Sequence, residues 1–267
     1  MTHTYRRCNI DPETLETVLL YAFIVTNICS FVWNFLVILT MYINKNLQTS
    51  TNYLIVSMSV SDILFPFSVL LYYMLLLGRV SQLSKRSKLV GNLLCKLLLF
   101  VREISYGVSM LTLVVITVYR FSAVMFPMRA RLPNKRKRIL VLLLTWLIPM
   151  AISSPYLIYN ESVNEQFQRC IWKLNWKQTR IWIIAKLLLF HFLSLLIMLV
   201  LYPLIIIKLK QHRAPGNVIN FQAVIRRKGH NYRMTMMFIV ITVAFLLCLG
   251  PYIIYYLLVF VIEHNLD

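Results

Sequence analysis

Residues 94–125 read LCKLLLFVREISYGVSMLTLVVITVYRFSAVM, and this stretch decides the class of protein. The 25 residues from Cys95 to Arg120 make roughly 37 Å of α-helix at 1.5 Å per residue. That is enough to cross a hydrocarbon core about 30 Å thick. Arg120 then stands at the far interface, just before a basic loop, where a long cationic side chain can snorkel into water. A membrane β-strand would alternate polar and apolar residues. Neither this stretch nor 139–150, apolar on every face, does so.

The whole chain has the same character. Of 267 residues, 59% are apolar and 14% charged, against about 45–50% and about 25% in soluble domains, and the mean hydropathy is +0.70. Few charges with 13% aromatics exclude a disordered chain. The net charge of +19 could point to nucleic acid, but the lysines and arginines sit between apolar runs, which is membrane topology and not a nucleic-acid face. Six spans are expected, near 17–43, 53–77, 94–125, 139–159, 181–207 and 234–262. The first 16 residues are polar and the first apolar stretch is far too long for a cleavable signal peptide.

Orientation follows from the basic residues. Loops 44–52, 126–138 and 208–233 hold 14 Lys or Arg and no acid; the opposite side holds 10 basic and 7 acidic residues. The first set is therefore expected inside, with 1–16 and 263–267 outside. Asn160-Glu161-Ser162 is a glycosylation sequon on the outer side. Cys95 and Cys170 also fall outside, where a disulfide persists. One bridge between them would tie the top of the third span to the loop after the fourth. Cys29 and Cys248 lie within spans, and Cys8 is an odd outer thiol.

Polar residues within a bilayer each need an account. Asp62 is ten residues, roughly 15 Å, above Asn52; Asn34 is as far above Asn44; Ser109 is eleven residues, about 16 Å, above Arg120. Three spans thus place polar groups at one depth. An acid with neutral oxygens suits a small hard cation such as sodium; a hydrogen-bonded polar plug without an ion is the other reading.

Together these features resemble the rhodopsin-like family of G-protein-coupled receptors. The first span has Asn34 in Trp33-Asn34-Phe35-Leu36-Val37, and the second runs from Asn52-Tyr53-Leu54 to Ser61-Asp62. The third has Cys95 and then Tyr119-Arg120-Phe121, followed by Pro127; the fourth has Trp146 and the fifth Tyr202. The sixth reads Phe245-x-x-Cys248-Leu249-Gly250-Pro251-Tyr252. Their order and spacing cover nearly the whole chain.

The resemblance implies an all-α membrane protein, an antiparallel transmembrane helical bundle showing six spans of a seven-helix receptor fold. Nothing after the sixth span resembles a seventh helix, and the expectation is an incomplete version of a seven-span chain. The family implies an extracellular ligand in the outer half, a bend at Pro251, and a heterotrimeric G protein meeting Arg120, Tyr202 and the basic third inner loop from the plasma membrane. Phe245 belongs to the same activation set.

The departures also carry expectations. Tyr119 stands where the family has an acid that pairs with the arginine, so restraint of the resting state is expected to be loose. Ser194 replaces a usual proline, and Leu249 a usual Trp. Arg102 occupies the place of the aspartate of amine receptors, with Glu103 adjacent but expected to point elsewhere. Arg102 and Tyr106, one turn apart on the third span, with Tyr252 and Tyr256 on the sixth, suit an anionic ligand or an acidic peptide and not an amine; the competing reading is that Glu103 or an outer acid neutralises Arg102 and the cavity discriminates mainly by aromatic packing. The chief alternative is a non-signalling, receptor-like scaffold. A transporter lacks the internal repeat expected of it, a channel its filter or charged ring, and an enzyme its catalytic cluster. No cofactor beyond the sodium ion is expected.

Overall fold

The structure, a computed structural model, describes residues 12–44, 49–76, 88–126, 135–164, 168–211, 229 and 232–244. The expected sites at Phe245, Pro251, Tyr252 and Tyr256, and most of the outer loop 78–93 with its cations Arg79, Lys85 and Arg86, lie outside the described residues.

The helices are α1 (Pro12–Ile43), α2 (Ser50–Leu76), α3 (Lys88–Met125), α4 (Lys135–Ser153), α5 (Pro155–Tyr159), α6 (Trp176–Leu187) and α7 (Leu193–Gln211), with α8 at Tyr232–Ala244. A π-helical turn, Leu188–Phe192, joins α6 to α7 without a break. Among the described residues, five helical segments are long and apolar enough to cross a membrane: Ile24–Ile43, Thr51–Tyr72, Leu89–Met125, Lys135–Tyr159 and Lys177–Gln211. α8 is a shorter apolar helix within the sixth expected span.

Two departures from the expected elements have local causes. The fourth span is not one helix to residue 159: it breaks at Ser154, because Pro155 has no N–H to continue the ladder and opens α5 at its first position instead. The outer loop is not structureless. Strands β1 (Asn160–Asn164) and β2 (Gln168–Trp172) pair antiparallel, with Asn160 opposite Trp172 and Ser162 opposite Cys170, and Glu161 of β1 forms an ion pair with Lys173 just beyond β2.

α3 is the centre. It packs on α2, α4, α5, both strands, the π turn and α7, whereas the main neighbour of α1 is α2. Pairings fix the directions. Tyr106 meets His191 and Thr117 meets Tyr202, so the third and fifth spans run the same way. Arg138 lies over Tyr53 and Trp146 bonds Ser57, so the second and fourth do too. Asp62 meets Ser109 while Leu54, earlier on the second span, shares a cluster with Leu113 and Ile116, later on the third, so the second to fifth spans alternate in direction.

Two apolar clusters hold the bundle. One joins Leu54, Met58, Leu113, Ile116, Met198, Tyr202, Ile205, Leu209 and Phe238; the other, nearer the hairpin, joins Cys95, Leu99 and Tyr156. Large apolar residues such as Phe31, Leu143, Leu147 and Leu199 face outward, as lipid-facing positions do.

Gly107 sets the approach of α4 to α3. A Cβ there would lie 2.7 Å from Pro149 Cβ, 3.1 Å from its Cγ and 3.4 Å from Phe190 Cζ. The proline ring is held by its own backbone and cannot swing away. Gly107→Ala gains about 1 kcal/mol of helix propensity but creates an overlap of the kind that costs about 1–3 kcal/mol. Thermal unfolding of the detergent-solubilised protein is therefore expected to show a lower midpoint for Gly107→Ala and a much lower one for Gly107→Leu; a raised midpoint for both would refute this close packing.

Candidate functional site

At the hairpin end, Cys95 and Cys170 form a disulfide with a Cα–Cα separation of 5.9 Å. It closes a 75-residue separation, worth about 4 kcal/mol on the chain-entropy account, and it pins β2 over the top of α3. Asn160, at the head of β1, is drawn in with it. Its side chain is 1% exposed and neither amide atom has a hydrogen-bond partner. The expected glycan at Asn160 does not fit this packing. The sequon was read as an outer-loop motif, but the hairpin folds it against α3.

Below the disulfide sits a buried charge cluster. Glu103 Oε1 accepts from Arg102 Nη2 at 3.0 Å, and its other oxygen pairs with Lys186 of α6. Lys186 Nζ also donates to Tyr156 OH at 3.1 Å and lies 4.9 Å from the Trp182 ring centroid. Tyr156 and Trp182 meet edge to face. Glu103 thus does not point away from Arg102 but pairs with it, as the competing reading of the cavity has it. A buried carboxylate has to find cations, and Glu103 collects two. Sequence reasoning missed Lys186, although it is the sole Lys or Arg in 181–207 and a charge within a span always asks for a partner.

One turn further along α3, Tyr106 OH lies 3.1 Å from His191 Nδ1. His191 sits in the π turn, an irregularity frequent at functional sites. Tyr106 therefore faces the fifth span, one turn of α3 from the Glu103 that meets Lys186.

At mid-depth, Ser109 Oγ donates to Asp62 Oδ1 at 2.6 Å, and Ser61 Oγ lies 2.8 Å from Ser109 Oγ. Asn34 does not join them by any hydrogen bond described. Its amide donates to Ser30 O at 2.9 Å and reaches Ser30 Oγ at 3.3 Å, within α1. Local side-chain-to-backbone bonding, always available to Asn, takes it out of the shared layer.

At the far end, Thr117 Oγ1 donates to Tyr202 OH at 3.0 Å, and Thr242 Oγ1 of α8 lies 3.4 Å from the same hydroxyl. Tyr202 thereby touches the third and sixth spans at once. Arg120 has a buried Nε with no hydrogen-bond partner, and its guanidinium lies 6.0 Å from the Phe238 ring centroid. Tyr119 and Phe121 pack against the apolar cluster beside it. Thr117, Thr242 and Phe238 were not picked out from sequence: hydroxyls and rings on apolar helices are indistinguishable there from filler.

These groups fall on one bundle in the order the receptor motifs predict, and similarity to known proteins points the same way. Residues 33–266 match the profile of the 7 transmembrane receptor (rhodopsin family). Over 249 residues, 89% of the chain, it is 26% identical to the QRFP-like peptide receptor of Branchiostoma floridae, covering 63% of that protein. It is 30% identical to the gastrin/cholecystokinin type B receptor of Rattus norvegicus over 64% of the chain and 38% of the receptor. Neuropeptide receptor 22 of Caenorhabditis elegans is 28% identical over 95% of the chain and 59% of the receptor. The chain thus spans less than two thirds of the length of each of these relatives. With a matched region covering most of its length and five described helices fit to span a bilayer, the chain is a multi-pass membrane protein that belongs to the rhodopsin family of seven-transmembrane receptors, and not an enzyme.

Proposed function

We propose that the chain receives an extracellular peptide bearing an anionic group and passes the signal to a heterotrimeric G protein at the plasma membrane. The observation that carries this reading is the charge cluster: Arg102 and Lys186 share the single carboxylate of Glu103. Two cations gather about that one carboxylate in a low-dielectric site, a setting that attracts an anion and repels an amine. The cationic character belongs to Arg102 and Lys186 together. The names of the three relatives, all peptide receptors, support the ligand class.

Lys186→Met should leave Glu103 short of a partner, a change of the sort that costs about 3–5 kcal/mol, and lower surface yield. The double variant Glu103→Gln/Lys186→Met should regain yield, since it removes the buried pair whole. In Arg102→Gln, which keeps the Glu103–Lys186 pair and takes one positive charge out of the cluster, a peptide agonist with a carboxylate or sulfate should lose at least about tenfold in potency, and its neutral analogue little. Equal potency for both peptides, or activation by monoamines, would refute the anionic ligand.

The inner end supports coupling. Arg120 has no carboxylate from Tyr119, and Phe238 covers its guanidinium. Movement of α8 away from α3 would uncover the arginine to a partner. Arg120→Ala is expected to abolish nucleotide exchange while an N-terminal epitope still stains on intact cells at near wild-type level; Phe238→Ala is expected to raise basal exchange. Unchanged exchange in both would leave Arg120 an interfacial residue only, and staining that needs permeabilisation would reverse the orientation taken from the Lys and Arg asymmetry.

Asp62, Ser109 and Ser61 supply a carboxylate and two hydroxyl oxygens in one bonded chain, a donor set fit for a hard cation. Sodium held there would offset the buried carboxylate. Replacing sodium by a bulky organic cation should then lower the thermal midpoint of the native protein and leave Asp62→Asn unaffected; equal responses would favour the ion-free polar plug.

A further inference from the structure

The two cations on Glu103 are held in different ways. Lys186 comes from another helix and has partners of its own. Its Nζ donates to Tyr156 OH at 3.1 Å and lies 4.9 Å from the Trp182 ring centroid and 5.2 Å from that of Tyr156. Tyr156 is buried with Cys95 and Leu99, and Trp182 packs against the same cluster. Lys186 is thus fixed whether or not Glu103 meets it, and its side chain is only 10% exposed. The Arg102 side chain is 23% exposed, against 9% for Glu103, so Arg102 is the accessible member of the three.

The rotation of α3 about its axis says where each faces. At 3.6 residues per turn, Arg102 stands about 20° to one side of Ser109 and about 40° to the other side of Tyr106. Ser109 bonds to α2 and Tyr106 to the π turn. Arg102 is therefore placed between them, on the side of α3 that looks into the bundle. Glu103 is about 100° further round, towards α6 and Lys186. Side chains one residue apart leave a helix in different directions. The bond from Arg102 Nη2 to Glu103 Oε1, 3.0 Å, therefore draws the guanidinium sideways from the direction its helix position gives it.

We propose that Glu103 is a built-in competitor of the ligand: its Oε1 holds Arg102 in the resting chain, and the anionic group of the peptide takes that place while Glu103 stays on Lys186. The proposal rests on the anionic-peptide reading above and names the exchange that reading requires. The exchange keeps the buried charges paired. Glu103 gives up one cation and keeps the other, whereas loss of both would leave a buried carboxylate alone, which is strongly unfavourable. Arg102 passes from one acid to another. The arrangement is also selective. A tethered acid competes at an effective concentration of about millimolar or more, which a small free anion with no other contacts does not overcome. A peptide with further contacts does, so the competitor rejects small anions that two cations would otherwise attract.

The test uses acetate as the probe and reads the thermal midpoint of the full detergent-solubilised chain, in sodium acetate against sodium chloride at equal ionic strength. The native chain is expected to show one midpoint in both salts. Glu103→Gln/Lys186→Met takes out one negative and one positive charge together, so the summed charge is unchanged and the competitor is lost. Acetate is expected to raise its midpoint by about 2–4 °C, and Arg102→Gln added to that pair to abolish the rise. Glu103→Ala is expected to respond as the double variant does; where it yields no protein, the double variant decides alone. No acetate effect in the double variant, or an equal effect in the native chain, would overturn the competitor. The potency of an anionic peptide on Arg102→Gln separates the two readings. Loss of potency without an acetate shift would sink the competitor alone, and unchanged potency with the shift intact would sink the peptide reading alone.

Discussion

A polar group in a hydrocarbon interior has to bond within the protein, and one helix takes part in more of the described bonds between helices than any other. Going down α3, Cys95 is tied to the hairpin, Glu103 to α6, Tyr106 to the π turn, Ser109 to α2, Thr117 to α7, and Arg120 lies over α8. Each link fixes a different neighbour at a different depth. Apolar packing alone would let these helices slide or rotate, since lipid is as apolar as leucine and gives little reason to prefer one register. The polar ladder removes that freedom, and Gly107 lets α4 close in on the same helix.

The outline of this arrangement is legible in the sequence because hydropathy and charge asymmetry are one-body properties: each residue reports its own preference for lipid or water. The spans, the Asp62 and Ser109 layer and the outer cysteines could all be read that way. What escaped depends on pairs. Glu103 looked like a neighbour of Arg102 facing elsewhere until Lys186, eighty-three positions on, drew it inward. Asn34 shares the depth of Asp62 but bonds to Ser30, because a carbonyl one turn back is nearer than another helix. Asn160 carries the right triplet for a glycan, yet hairpin pairing, which no periodicity announced, buries it. The break at Pro155 was visible in the sequence and was passed over because the flanking residues are apolar enough to span.

The fifth span shows how a local irregularity serves the ladder. One row of its buried residues, Lys186, Phe190, Ser194, Met198 and Tyr202, runs in steps of four. At 3.6 residues per turn every such step overshoots by about 40°, so a regular helix would rotate Tyr202 about 160° away from Lys186. The π turn at Leu188–Phe192 takes up one extra residue and returns about 100° of that drift. The effect can be read from the partners. Thr117 and Tyr106 are as far apart on α3 as Tyr202 and His191 are on the fifth span, whereas Tyr106 and Glu103 are three residues apart and His191 and Lys186 are five. The surplus falls where the π turn lies. Ser194 stands where the receptor family usually has a proline, so the irregularity here arises without one. What demands it is the need for Lys186 and Tyr202, at opposite ends of one helix, to face the same neighbour.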